Sequence, residues 1–158
     1  MELLFKAVED NDLIKVKKLL NAENINAIDS FGYSLLHVSS FKNHNEISLL
    51  LIDQGIDVNL QDKNGQTILH YAALNNQLAV ARSALKNGAK LSIQDIHGNQ
   101  PLWTAVFNDK GRNERIEIIG IFLEWGADVN HKNKVDKTPK DIVRIAGYSN
   151  LKPLMGMD

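Results

Sequence analysis

Cysteine is missing from all 158 residues. Its absence removes disulfides, thiolate nucleophiles and Cys-containing zinc sites together, and it fits a reducing compartment. Charge of one sign is also lacking. Lys and Arg number 18 against 19 Asp and Glu, for a formal net charge of -1. No global field therefore draws the chain toward nucleic acid or a membrane surface. Long apolar runs are absent as well. The stretch "LLLI" at 49–52 falls far short of the roughly 20 apolar residues of a membrane span. The N-terminal "MELLFKAVEDNDLIKVKKLL" has no uninterrupted apolar core of a signal peptide. Its apolar residues recur instead at helical spacing, at Leu4, Val8, Leu13, Val16 and Leu20. A cytoplasmic protein is expected. Lys outnumbers Arg 14 to 4, and Asn and Ile are plentiful, choices that an AT-rich genome tends to make and that lean toward a bacterial source.

Recognisable chemistry is equally scarce. There is no G-x-S-x-G nucleophile elbow and no G-x-x-x-x-G-K-[ST] phosphate loop. No two histidines stand at a ligand spacing such as H-x-x-x-H, which argues against a metal site. "LQDKNGQTILHY" has the Asp62, Asn64 and Gly65 of a calcium loop, but Leu60 and Tyr71 fall where oxygen ligands of the right charge are needed. The expectation is a protein that is not an enzyme and takes no cofactor.

What the chain has is repetition. "DSFGYSLLHVSSFKNHNEISLLLIDQGIDVNLQ" (29–61) is followed by "DKNGQTILHYAALNNQLAVARSALKNGAKLSIQ" (62–94). Each begins with Asp, carries Gly fourth and Leu-His eighth and ninth. The openings fall at Asp29, Asp62, Asp95 and Asn133, spaced by 33, 33 and 38 residues. Asp136 replaces Gly in the last unit. Turn chemistry fills "DKNGQT", where Gly65 can take φ > 0. Thr67 can cap a helix over 68–75, and a second amphipathic helix over 78–86 ends at Gly88. Ala72, Ala73, Ala79, Ala81 and Ala84 keep one side of the pair thin. One such pair cannot bury its apolar faces alone, whereas stacked copies can.

"DKNGQTILHYAA", "LLIDQGIDVN" and "FLEWGADVN" resemble the ankyrin repeat, whose pattern is D-x-x-G-x-T-P-L-H-x-A-A followed by a helix ending L-L-x-x-G-A-D-V-N. The resemblance covers nearly the whole chain. It implies an all-α solenoid of about five units, with helix pairs joined by β-hairpin tips, forming one domain over 1–158. The units are about 1–28, 29–61, 62–94, 95–132 and 133–158, the outer two capping, with the second helix of the last interrupted at Pro153. The third full-length repeat departs from the pattern. Trp103 stands at the His position, and five extra residues lie between its helices, within 108–115. The insertion is either a functional loop or length that a surface tolerates cheaply.

The resemblance also implies what the chain does. His37 and His70 take the family's structural His position. Partners of ankyrin proteins lie against a concave face built from the tips and the exposed side of each first helix. Carried over by position, the partner-binding residues are Phe31, Tyr33, Phe41, Lys42, Lys63, Asn64, Gln66, Leu74, Asn75, Ile96, His97, Asn99, Trp103 and Phe107, with Lys110 and Arg112 from the inserted segment. Aromatic and aliphatic groups rimmed by polar ones are what an interface offers, unless some, Phe41 and Phe107 first, tuck between units as core. Lys42, Lys63, Lys134 and Lys137, with Lys110, Arg112 and Arg115, make the later part of that face basic, while Glu9 and Asp10 make its first end acidic. The expected partner is another protein, neutral to acidic, met by a chain that is monomeric when free and binds no nucleic acid and no membrane. The expected function is a protein-binding module that occupies its partner, in its sharpest form a bacterial immunity protein neutralising a cognate toxin. The alternative is a reversible adaptor serving several proteins or peptides.

Overall fold

The computed structural model describes all 158 residues. It contains nine α-helices: α1 (Glu2–Glu9), α2 (Leu13–Leu19), α3 (Leu35–Phe41), α4 (Asn45–Asp53), α5 (Ile68–Asn75), α6 (Leu78–Lys86), α7 (Pro101–Asp109), α8 (Ile116–Glu124) and α9 (Pro139–Ala146). Two 3-10 turns, Ser149–Leu151 and Pro153–Met155, take the place of a second helix in the last unit. No helix is long and apolar enough to cross a membrane.

Helices of seven to nine residues are marginal on their own, so packing decides them. First helices stack in the row α1, α3, α5, α7, α9, and second helices in the row α2, α4, α6, α8. Between the rows runs one continuous apolar core, from Leu4 and Val8 through Leu69, Ala72 and Val80 to Phe122, Val143 and Leu151. Central α5 shows the logic best. It buries Ile68, Leu69, His70, Tyr71, Ala72 and Ala73, because α3, α6 and α7 surround it. Ala72, Ala73, Ala81 and Ala84 are fully buried and let the pairs approach, as the thin-side argument requires. Ala79 instead faces outward.

Each first helix needs its free N–H groups satisfied. In α3, Ser34 N–H donates to His37 Nδ1 at 3.1 Å, and the ring's Nε2 lies 3.1 Å from the carbonyl of Gln66 in the next tip. In α5 the same geometry joins Thr67, His70 and the Asn99 carbonyl. An accepting Nδ1 leaves the proton on Nε2, so each histidine ties its own helix start to the following unit. Burial pushes both rings below the ordinary histidine range, against the pull of Asp62 and Asp95. Thr138 and Asp141 form a comparable reciprocal cap in α9.

The tips differ from the expected β-hairpins. No strand forms, and a single isolated bridge pairs Ile28 with Ser34. Each tip is instead closed by its opening residue. Asp29 Oδ1 accepts from Phe31 and Tyr33, Asp62 Oδ1 from Asn64 and Gln66, Asp95 Oδ1 from His97 and Asn99, and Asn133 Oδ1 from Val135 and Lys137. Side-chain closure makes tight turns whose arms are too short for a ladder. Neighbouring tips join through Ile96 N–H to Asn64 O at 2.9 Å and Lys134 N–H to His97 O at 3.0 Å.

Candidate protein-binding face

The tips and the outward side of α3, α5 and α7 carry a run of apolar groups that the core does not absorb. Phe31 is 65% exposed, Phe41 64%, Ile96 49% and Phe107 47%. Phe41 and Phe107, the two most suited to tucking between units, stay outside. Phe41 lies edge-on to Tyr71, with ring centroids 6.5 Å apart, and Phe107 stacks on Trp103 at 4.9 Å. Leu74 is exposed between these two ends. Other apolar groups are exposed elsewhere, among them Ile14 on α2 and Trp125 after α8.

Two hollows punctuate the face. The first, of about 260 Å³, lies between the tip at 29–33 and helices α1, α3 and α5; Glu9, Asp29, Phe31, Tyr33, His37, Val38, Phe41, Lys42 and Tyr71 line it. It gathers four of the residues expected to bind a partner: Phe31, Tyr33, Phe41 and Lys42. Lys63 joins from the next tip, its Nζ 5.8 Å from the Tyr33 ring centroid. The second, of about 390 Å³, is lined by His97, Asn99, Trp103, Asn133, Lys134 and Val135.

Several of the expected binding residues also hold the array together. The Gln66 carbonyl meets His37, and the Asn64 carbonyl accepts from Ile96. Asn75 Nδ2 donates to the Ser40 carbonyl at 3.0 Å. Asn99 is 8% exposed, and its side chain is divided between Asp95 and Asn133. It positions the tips and leaves little for a partner to touch. Lys110 and Arg112 are exposed on the inserted segment.

That segment is no free loop. Asp109, fully buried, accepts from the N–H groups of Asn113 at 3.3 Å and Arg115 at 2.7 Å. The Arg115 guanidinium donates to the carbonyls of Ala73, Leu74 and Asn108. Asn150 reaches Asn113 from the C-terminal turns, and Gly111 sits against Tyr148. The extra residues thus buttress the array from α5 to its last unit, while their outer side chains stay available. Of the basic set, Arg115 is spent on carbonyls.

Tyr71 and Asp29 were not among the residues expected to bind a partner, although both line the first hollow. Tyr71 donates its hydroxyl to Asp62 Oδ2 at 2.9 Å, and burial, followed by that carboxylate, pushes its ionisation well above the ordinary tyrosine range. It forms a wall of the first hollow. The signal was present in the repeat register: Tyr71 and Val38 hold the same place in successive units, and only the smaller residue leaves room.

A family model described as ankyrin repeats (3 copies) matches residues 4–95 and 54–133. No curated protein matches the chain. Ankyrin repeats are protein–protein interaction modules, and the matched stretches cover most of the nine-helix array. The chain belongs to the ankyrin-repeat family.

Proposed function

We propose that the chain is a stoichiometric binding module that occupies one partner protein through the concave face formed by its tips and first helices. The observation that supports this most is the run of exposed Phe31, Phe41, Ile96 and Phe107 along one face. Bare aromatic side chains in line, bordered by lysines and amides, are what a desolvating interface uses. In the sharpest form of the reading the chain is a cytoplasmic immunity protein that blocks a toxin or effector. That form rests on analogy with other members of the family.

Lys110, Arg112, Lys134 and Lys137 bias the later end of the face toward acidic surface on the partner. Lowering the salt should then raise the association rate; an unchanged rate would remove electrostatic steering from the account.

Affinity capture from the native host, with mass spectrometry, tests the proposal. A parallel bait carries Tyr33→Ala, Lys63→Ala and Ile96→Ala. One stoichiometric partner held by the wild type and lost by the variant is expected. A partner that survives the triple change would move the interface to the inserted segment or the opposite side. A dissociation constant at or below nanomolar fits a dedicated inhibitor. A micromolar one, weaker by about 4 kcal/mol, fits the adaptor.

A further inference from the structure

Four tips open with an Asx residue, and in three of them both side-chain atoms are used within the protein. Asp62 gives its second oxygen to the Tyr71 hydroxyl, Asp95 to Asn99 Nδ2 at 3.3 Å, and Asn133 donates its amide to Asn99 Oδ1 at 2.8 Å. Asp29 is the exception. Its Oδ1 closes the turn through Phe31 and Tyr33, and its Oδ2 has no partner. The cause lies one helix away. Val38 occupies the place that Tyr71 holds one unit later, so the hydroxyl that would have met Asp29 is missing and a hollow stands in its stead.

We propose that this hollow receives one cationic side chain, arginine or lysine, from the partner protein, with Asp29 Oδ2 as the acceptor that meets it. The walls suit such a guest. Tyr33, Phe41 and Tyr71 line the hollow, and aromatic rings attract ammonium and guanidinium groups while the apolar surround takes the aliphatic stem. Tyr33 already holds the Lys63 ammonium near its ring. Glu9 stands at the rim as a second carboxylate, and neither it nor Asp29 enters any ion pair of the chain. Two carboxylates stand against the Lys42 ammonium in the lining and the Lys63 ammonium beside Tyr33, so the charges balance and the attraction for the guest lies in the unpartnered Asp29 Oδ2 and the rings around it. Lys42 is exposed on a flexible stem and can swing clear.

The inference rests on the concave-face reading and sharpens it. The partner presents a basic side chain at the first end of the groove and acidic surface toward Lys134 and Lys137. Its surface is bipolar, which also fixes the direction in which it lies along the units.

The test does not wait for the partner. n-Butylguanidinium is titrated into the full chain, and the backbone amides of Phe31 and Tyr33, which both donate to Asp29, are followed by NMR. Saturable shifts with a millimolar constant are expected, and n-butanol, of similar shape without the charge, should bind about fivefold or more weakly. Val38→Tyr rebuilds the arrangement of the next unit, fills the hollow and should abolish the response. Glu9→Gln, at an exposed helix position, should weaken it without touching the fold. Equal binding of n-butanol, or no saturable shift, would overturn the proposal. So would full capture of the partner by a folded Val38→Tyr chain. Failure of the wild type to capture any partner would instead strike the concave-face reading and leave the guanidinium result standing.

Discussion

Arg115 closes the C-terminal end of α5 from 41 residues away: its Nη2 donates to the Leu74 carbonyl at 2.8 Å and its Nε to Ala73 at 3.3 Å. Helix ends leave carbonyls without partners, and a cation there is favourable twice over, by hydrogen bond and by dipole. The Arg115 side chain is only 17% exposed, and its bonds to Ala73 and Asn108 are partly buried, while the one to Leu74 lies at the surface. Arg115→Ala is expected to lower unfolding free energy by about 2 kcal/mol, read as a lower midpoint in urea. The inserted segment should loosen with it, seen as faster amide exchange at Asn113 and Arg115. Arg115→Lys should rescue little, because one ammonium cannot span three carbonyls.

Two glycines at equivalent tip positions should respond unequally to the same change. Gly32 and Gly98 have φ of +85° and +78°, so alanine at either is strained by about 1 kcal/mol or more. A Cβ on Gly32 meets nothing nearer than Lys63 at 3.8 Å, whereas one on Gly98 would lie 2.9 Å from Lys134 N. That amide carries the bond joining two tips, Lys134 to His97. Gly98→Ala should therefore be the more destabilising by about 1–2 kcal/mol. Equal urea midpoints for the two variants would show that the tips slide freely past one another.

The helix pairs were legible because their signals are local. The residues expected to form helices at 68–75 and 78–86 coincide with α5 and α6, each bounded by a cap or a left-handed residue close by. The inserted segment was not legible, since Asp109, Arg115 and Asn150 converge only once distant units have stacked. The face was half legible. Position in the repeat located Phe31, Tyr33, Phe41 and Phe107, but whether Phe41 and Phe107 turn inward depends on the neighbouring unit's volume. The free oxygen of Asp29 needed two units compared side by side, because the feature is a missing hydroxyl.

Acid should weaken the fold through the two interlocking histidines. Burial lowers the affinity of His37 and His70 for a proton below the ordinary value of 6.5, despite the nearby Asp29, Asp62 and Asp95. The unfolded chain therefore takes up protons first as the pH falls through 6.5. Stability is full above that point and is lost below it, down to the depressed folded values, with a slope of up to about 1.4 kcal/mol per pH unit for each ring. Urea unfolding between about pH 5 and 7.5 isolates this window, since carboxylates titrate mostly below it. His37→Gln with His70→Gln should flatten the slope while lowering stability at neutral pH. An unchanged slope would assign the loss to other groups.

Trp103 is where stability and binding should part company. Three other first helices, α3, α5 and α9, start with a reciprocal cap, through Ser34 and His37, Thr67 and His70, or Thr138 and Asp141. In α7 Gln100 supplies no cap, and Trp103, in the histidine's place, leaves its buried Nε1 without an acceptor. Replacing Gln100→Thr and Trp103→His restores the pattern. A cap contributes about 1 kcal/mol, and removing an unmet buried donor about 1–3. Losing the stack on Phe107 at 4.9 Å takes back about 0.5–1.5. The double variant should therefore be more stable by about 1 kcal/mol, measured by urea unfolding. If the concave face is the interface, it should also bind the partner about tenfold more weakly, because the platform of two stacked rings is gone. A gain in stability with undiminished affinity would make Trp103 a packing compromise with no role in recognition. A loss of both would show that the indole fills a space the imidazole cannot.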